Sequence, residues 1–212
     1  MGKMAADMTT RERIVEEALT LFSINGYKGT SVKNIADAVG IKDSSLYKHF
    51  KSKQEILDTI VETMRRHMED MSDTFGLPSD DDLEEAASVY SGFDETMLVD
   101  FSKKIFLFYL KDSFMSRFWR MGNIEQYQNP EVSAVYRQLF LADSISYQTA
   151  LFAEMIKEHI FTGEDAEVMA MYFYSPIFFL LSKYANEAEK EEEALGILEK
   201  QVREFYRIYR RR

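Results

Sequence analysis

The stretch TSVKNIADAVGIKDSSLYKHFKSKQEIL, residues 30–57, decides the fold of this chain. Four apolar residues in it follow the i, i+3, i+4, i+7 spacing of an amphipathic helix: Val32, Ile35, Ala36 and Val39. This helix is predicted to start at Thr30 or Ser31 and to stop at Gly40. A further short helix follows at about Lys42–His49. Two short helices joined by a glycine-containing turn have the spacing of a helix-turn-helix.

The sequence on either side adds one helix before this motif and one after it. Thr9 precedes Glu12 by three residues, which is typical of a capping box, and Gly26 ends the helix that begins there. A second capping box, Ser52–Glu55, opens a long fourth helix over about residues 53–72. We therefore expect a three-helix head over residues 1–57, with the fourth helix linking it to the rest of the chain.

The remainder of the chain is also predicted to be helical, so the fold class is all-α. Gly, Pro, Ser and an acidic run at Asp73–Asp82 indicate a boundary, and residues 73–212 are predicted to form a second, helical domain. Apolar spacing of three and four predicts five further helices, at about 83–99, 101–120, 131–161, 165–186 and 190–210.

Composition indicates a globular protein, because 46% of the residues are hydrophobic and 29% are charged. The chain has no cysteine, which excludes disulfides and thiolate metal sites. Met1–Thr10 lacks the apolar core of a secretory signal. The longest nearly apolar run, Val168–Leu181, is short for a membrane span, which needs about 20 residues. We expect a cytoplasmic protein that does not associate with a membrane.

The charge of the chain is unevenly distributed. The net charge is −10, yet residues 1–53 carry +3 and the remainder carries −13. A mildly basic head on an acidic body fits a protein that presents one end to a polyanion. Ordinary scatter of charge is the alternative.

The second helix of a helix-turn-helix enters the major groove and needs hydrogen-bonding and small side chains. The segment after Gly40 supplies them as Lys42, Asp43, Ser44, Ser45, Tyr47, Lys48 and His49, while Leu46 and Phe50 are apolar anchors. Ser31 and Lys53 stand at helix starts, where phosphates bind. The alternatives are a surface role for His49, a core-edge role for Tyr47 and a solvated Lys48.

Residues 30–57 resemble the TetR family of bacterial regulators. The resemblance lies in Thr30–Gly40, in Leu46-Tyr47 followed by His49-Phe50, and in Ser52-Lys53 followed by Glu55 and Leu57. It implies that Ser44, Ser45 and Lys42 face base edges. It also implies that phosphates contact Tyr47, His49, Lys53 and the Thr30–Ser31 helix start. The partners it implies are palindromic double-stranded operator DNA and a second copy of the chain.

The start of the recognition helix departs from the family pattern. Many members have Ser at the position of Lys42, Lys at Asp43 and Gly at Ser44. Lysine caps a helix poorly, so the helix is expected to start less firmly. Asp43 repels phosphates, but a carboxylate can accept a hydrogen bond from cytosine N4, so Asp43 is expected to contribute to base discrimination.

The C-terminal domain is rich in aromatic residues, which fit either a core or an apolar pocket with a few polar groups. The resemblance implies that a small-molecule effector binds among the central helices. The predicted pocket residues are Phe106, Tyr109, Trp119, Tyr136 and Tyr147, and the effector is expected to be apolar or aromatic.

The last helix carries a heptad seam, with spacings of three and four between its apolar residues. Such a seam packs either inside one chain or against a second copy. Together with the apolar preceding helix, the resemblance implies a four-helix dimer interface. The predicted interface residues are Phe178, Leu181, Leu195, Leu198, Val202 and Phe205.

An enzyme is the main alternative of another class, but the chain contains no HExxH, GxSxG, GxxxxGK[ST] or GxGxxG motif. No cofactor and no metal site is predicted, because His67 and His159 with their acidic neighbours are more typical of exposed charge pairs. The sequence predicts a repressor released from its operator by the effector. A transcriptional activator, a helical enzyme and an interaction protein remain the alternatives.

Overall fold

The computed structural model describes residues 8–75, 83–185 and 187–211, and the regular elements in these ranges are helices. The α-helices in chain order are α1 (Thr10–Asn25), α2 (Val32–Val39), α3 (Asp43–Leu46), α4 (Lys53–Phe75), α5 (Leu83–Ser91), α6 (Glu95–Lys111), α7 (Ser113–Glu125), α8 (Pro130–Arg137), α9 (Asp143–Lys157), α10 (Ala166–Tyr184) and α11 (Glu191–Tyr209). A π-helical segment, Gln138–Ala142, joins α8 to α9, and a 3-10 turn, Ala188–Lys190, precedes α11. The predicted all-α fold class is confirmed.

Local sequence explains where the first two helices begin and end. The predicted capping box is present, because Thr9 Oγ1 accepts from the Glu12 amide at 3.3 Å and the Thr9 amide donates to Glu12 Oε2 at 2.7 Å. Ser31 and Asn34 form a further capping box, at the start of α2. In it, Ser31 Oγ accepts from the Asn34 amide at 3.1 Å. Gly26, with φ of 74°, follows the last residue of α1 in a conformation that favours glycine.

Contacts divide the chain into two compact units. The first unit contains the described residues up to Glu69 together with Ser113–Tyr136. The second contains the described residues of Asp70–Asp112 and residues 137–211. The segment Ser113–Tyr136 was predicted to belong to the C-terminal domain, but it packs with the head.

Polar contacts between residues far apart in sequence, described below for Arg117 and Glu125, accompany this packing. Helix α7 also buries large apolar side chains, among them Phe118 and Trp119. Most of the predicted boundary, residues 76–82, lies outside the described residues, and α4 continues to Phe75. The assignment of separate functions to residues 1–57 and 73–212 stays a prediction.

Three predicted helices are interrupted. The helix predicted over 83–99 ends at Ser91, and α6 begins at Glu95. Asp112 has an extended backbone, with φ of −62° and ψ of 125°, so the helix predicted over 101–120 is divided between α6 and α7. Aspartate favours such breaks because its side chain competes for nearby backbone amides. The π-helical segment interrupts the helix predicted over 131–161.

The second unit has an aromatic core. The ring centroids of Phe173 and Phe205 lie 4.9 Å apart, and those of Phe152 and Phe205 lie 5.5 Å apart. Such tilted aromatic pairs stabilise a core beyond the area that they bury. No helix among the described residues has both the length and the apolar character to cross a membrane.

Candidate nucleic-acid interface

Helix α3 is a single helical turn, and a tight turn over residues 47–49 continues it. Lys42 is its N-cap, and its side chain makes no capping hydrogen bond within the described part of the chain, in line with the weak start predicted for this helix. Leu46 and Phe50 are buried beneath the segment. These two anchors fix the direction in which the polar side chains of residues 42–49 point.

Most of the predicted DNA-contacting side chains on this segment are exposed. Ser45 is half-buried, and the exposed residues are Lys42, Asp43, Ser44, Tyr47, Lys48 and His49. Tyr47 is 54% exposed, so it is a surface residue and not the edge of the core. The segment therefore presents hydrogen-bond donors and one carboxylate in a single short run. Their contacts with DNA stay a prediction.

The start of α2 differs from the prediction at Thr30. This residue is 1% exposed, and its Oγ1 donates to the carbonyl oxygen of Gly26 at 2.9 Å. Its hydroxyl therefore holds the turn before α2 and is not available to a phosphate. Ser31 is exposed, and the first amides of α2 have no partner inside the helix, as at any helix N-terminus. Sequence analysis did not select Lys28 and Lys33, two exposed cations on either side of this helix start.

Lys53, another predicted phosphate contact, is bonded within the protein. Its Nζ donates to the carbonyl oxygens of Tyr27, at 2.7 Å, and Thr30, at 2.8 Å. The ammonium also lies 4.1 Å from the centroid of the Tyr27 ring. Burial lowers the pKa of Lys53, and the nearby Glu125 carboxylate acts in the opposite direction. Lys53 therefore organises the turn over residues 26–30 from within the protein.

Glu125 is a buried carboxylate that sequence analysis did not find. It is the last residue of α7, is 2% exposed, and its Oε1 accepts from the Tyr27 amide at 2.8 Å. Its Oε2 is buried and has no hydrogen-bond partner within the described ranges. No sequence pattern signals this contact, because Glu125 and Tyr27 are 98 residues apart.

The five predicted pocket residues fall into two groups. Trp119 and Tyr136 belong to the first unit, where both are buried and their ring centroids lie 5.5 Å apart. Burial raises the pKa of Tyr136 to about 12. Phe106, Tyr109 and Tyr147 belong to the second unit. The five residues are therefore divided between two units, and a role in effector binding stays a prediction for each of them.

Within the second unit, Phe106 is a core residue and Tyr109 is half-buried, with its ring centroid 6.0 Å from that of Phe140. Burial raises the pKa of the Tyr109 hydroxyl strongly. The Tyr174 hydroxyl donates to the Phe140 carbonyl at 2.6 Å, inside the π-helical segment. Departures from α-helical hydrogen bonding of this kind are frequent at functional sites.

Buried hydrogen-bond acceptors provide a second polar feature of this unit. Three of them have no partner within the described residues: Gln148 Oε1, Thr149 Oγ1 and Gln201 Oε1. A buried polar atom without a partner costs free energy, so the two glutamine oxygens favour a donor group, whereas the Thr149 hydroxyl can donate or accept.

The predicted dimer-interface residues lie mainly inside the chain. Four of the six are buried in a single copy: Leu181, Leu198, Val202 and Phe205. Phe178 and Leu195 are half-buried. The heptad seam of α11 therefore packs inside one chain, which is the alternative to packing against a second copy. The exposed apolar side chains of α10 and α11 are Val168, Met171, Tyr172, Phe179, Ile197 and Ile208.

A capped helix, a turn and a short anchored helix with exposed polar side chains define the class of helix-turn-helix proteins. The family model described as bacterial regulatory proteins, tetR family, matches residues 14–60. The head of the chain is therefore similar to that of the TetR family of transcriptional regulators. The proteins it resembles are regulators rather than enzymes, which agrees with the sequence prediction.

Individual relatives support the same assignment. The biofilm operon icaADBC HTH-type negative transcriptional regulator IcaR of Staphylococcus aureus (strain Newman) is 47% identical over 51 residues, which are 24% of this chain and 27% of IcaR. The chain thus matches about a quarter of the length of these curated relatives.

Two solved structures show the same fold over nearly the whole chain. A TetR transcriptional regulator from Chloroflexus aurantiacus has a TM-score of 0.65 and 19% identity, covering 95% of this chain and 96% of that one. SmeT in complex with triclosan has a TM-score of 0.62 and 20% identity, covering 96% and 93%.

Proposed function

We propose that the protein is a homodimeric, cytoplasmic transcriptional repressor that binds a palindromic operator and is released by a small-molecule effector. DNA binding is supported by the recognition segment, residues 42–49. Most of its polar side chains are exposed, while Leu46 and Phe50 are buried. Anchored side chains of this kind are what base recognition in the major groove requires.

Charge and helix geometry support phosphate binding beside this segment. The N-terminus of α2 offers amides without intrahelical partners, and it carries a partial positive charge. Lys28 and Lys33 are exposed near it. In this proposal they take the place of Lys53 and of the Thr30 hydroxyl, which are engaged within the protein.

Repression and effector release are supported by the relatives and by the second unit. IcaR is named as a negative regulator, and SmeT was solved with triclosan bound. The second unit combines half-buried aromatics such as Tyr109 and Tyr147 with buried side-chain oxygens of Gln148, Thr149 and Gln201, for which the described residues supply no partner. These features favour an effector with an aromatic or apolar body and a hydrogen-bond donor.

A homodimer is supported by the exposed apolar side chains of α10 and α11, because soluble monomers rarely expose large apolar patches. Two recognition helices are also needed to contact half-sites about 34–36 Å apart. In this proposal the contact uses the exposed faces of α10 and α11.

The decisive experiment is selection of binding duplexes, from genomic fragments and from a randomised library, by the purified chain. We expect one enriched palindromic sequence, whose affinity falls as salt rises with a slope of about −0.9 per neutralised phosphate. Lys33→Ala should reduce this slope by about 1 per bound subunit. The matched control is Lys157→Ala, which removes an exposed lysine of the second unit and should leave the slope unchanged. Failure to enrich any sequence would contradict the proposal.

The second stage uses the selected duplex as a template for transcription and release. Repression predicts less transcript when the protein is added, whereas an activator would increase it. Release is tested with uncharged phenols, triclosan and 2-naphthol, against 2-naphthoate, which has no hydroxyl donor and carries a charge. We expect the phenols to raise the melting temperature and to weaken the DNA complex. Equal behaviour of 2-naphthol and 2-naphthoate would contradict the predicted effector chemistry.

A further inference from the structure

Helix α7 is fastened to the head near both of its ends. Arg117 Nη1 donates to Thr20 Oγ1 at 2.8 Å and to the Glu16 carbonyl at 3.0 Å, and its Nη2 pairs with the Glu16 carboxylate. At the other end, Glu125 accepts from the Tyr27 amide. One end of α7 therefore holds the middle of α1, and the other holds the turn between α1 and α2.

The turn over residues 26–30, here called the clamped turn, is held from two directions. Glu125 binds one of its amides, and Lys53 binds two of its carbonyls. A Cβ atom at Gly26 would lie 2.8 Å from Glu125 Oε1, so the carboxylate occupies the space that a side chain at position 26 would need. Both the glycine and the glutamate are required for this close packing.

The clamped turn leads directly to the N-terminus of α2. Ser31, the N-cap of that helix, follows Thr30 without an intervening residue. A displacement of Glu125 would move the Tyr27 amide, and with it the helix start that faces phosphates in the proposed function. Only Asp112 separates α7 from α6, the helix that carries Phe106 and Tyr109.

Stability alone does not account for Glu125. A buried carboxylate is favourable only when its oxygens are well paired, and the Oε2 of Glu125 has no partner in the described part of the chain. An apolar side chain at this position would avoid the cost of burying the charge. The carboxylate has a geometric effect instead. Its oxygen holds the Tyr27 amide in a fixed position, which an apolar group cannot do.

We propose that Glu125 is a positioning residue for DNA binding, which fixes the start of α2 through the Tyr27 amide. This inference rests on the proposed function, and it names a residue outside the recognition segment on which DNA affinity depends.

The test compares Glu125→Leu, which removes the acceptor, with Glu125→Gln, which keeps an oxygen and removes the charge. The matched control is Glu62→Gln, an exposed carboxylate of α4 in the same unit. We expect Glu125→Leu to weaken binding to the duplex selected by the wild-type chain about tenfold or more, the effect of losing one hydrogen bond to a charged group. Glu125→Gln should stay within about threefold of wild type, since an acceptor remains.

Two further measurements separate positioning from a general structural role. The urea midpoint of Glu125→Leu should not fall, since the buried charge is gone, and hydrogen exchange should rise at residues 27–34 only. Equal losses of affinity for the Leu and Gln variants, or a loss matched by a lower midpoint, would overturn the inference. If the wild-type chain selects no duplex, the proposed function fails. In that case unchanged exchange at residues 27–34 in Glu125→Leu would overturn the positioning role as well.

Discussion

At the scale of single residues, Gly26 and Gly40 form a matched pair that separates backbone strain from crowding. Both have positive φ, 74° and 77°. A Cβ at Gly26 would meet Glu125 Oε1 at 2.8 Å, whereas no described atom lies within 4 Å of a Cβ at Gly40. We expect Gly40→Ala to cost about 1–2 kcal/mol, the penalty of a left-handed residue. Gly26→Ala should cost more, because its ψ of 166° is almost restricted to glycine and because the glutamate must move.

Urea unfolding of the two variants measures this difference. If the clash contributes, adding Glu125→Ala to Gly26→Ala should recover part of the loss, since neighbouring changes are not additive. The same addition to Gly40→Ala should recover nothing. Equal costs for the two glycines, without any recovery, would show that Glu125 is not crowded by position 26.

The residue scale also shows what sequence could and could not predict about the site. The exposed residues of the recognition segment were identified by type and spacing, because their roles are local. Thr30 and Lys53 were correctly placed at helix starts, but their polar groups bond to backbone carbonyls that no pattern in the sequence marks. Glu125 was missed because its partner lies 98 residues away.

At the scale of elements, the weak N-cap of α3 gives a second prediction. Lys42 has the extended backbone of an N-cap, with φ of −73° and ψ of 148°, but its side chain makes no capping bond among the described residues. Serine at this position would accept a hydrogen bond from a first-turn amide. Lys42→Ser should therefore raise the free energy of unfolding by about 1 kcal/mol, measured in urea.

The control for this prediction is Ser31→Ala, which removes an existing capping box at α2. It should lower stability by about the same 1 kcal/mol. A Lys42→Ser variant with unchanged stability would mean that the cap of a single-turn helix does not contribute to the fold.

Helix boundaries are predictable from sequence where neighbouring residues determine them, and not where they depend on the rest of the fold. The capping boxes at Thr9 and Ser31 and the stop at Gly26 depend on neighbouring residues, so the sequence predicts α1 and α2 closely. Apolar periodicity does not reveal a break within an amphipathic pattern. It therefore missed Asp112, where the backbone leaves the helix, and the π-helical segment after α8.

At the scale of the whole molecule, sequence predicted two helical domains but assigned residues 113–136 to the wrong neighbour. Their apolar pattern would suit either unit, and the long-range contacts of Arg117 and Glu125 with the head have no signal in the sequence. The complete fold likewise determines whether an apolar face of α10 or α11 packs inside the chain or remains exposed. The buried residues Leu198 and Phe205 fill the core, so a partner copy would have to use other side chains.

The proposed dimer is the prediction that belongs to this scale. Phe179 of α10 is 63% exposed in a single copy, whereas Leu198 of α11 is fully buried. A charge at Phe179 would be stranded in the proposed interface while leaving the core intact. Phe179→Glu should therefore change the mass in solution from that of a dimer to the monomer mass of 24.8 kDa, measured by light scattering, without loss of helical content.

Two controls decide between the exposed face and the seam predicted from sequence. Tyr127→Glu alters a side chain that is 84% exposed in the first unit, and it should leave the dimer mass unchanged. Leu198→Glu buries a charge in the core and should unfold the chain rather than yield a folded monomer. If Leu198→Glu gives a folded monomer and Phe179→Glu leaves the dimer intact, the dimer interface is the heptad seam predicted from sequence. The opposite outcome would place it on the exposed face of α10, because only that surface tolerates a charge in the monomer and excludes it from the dimer.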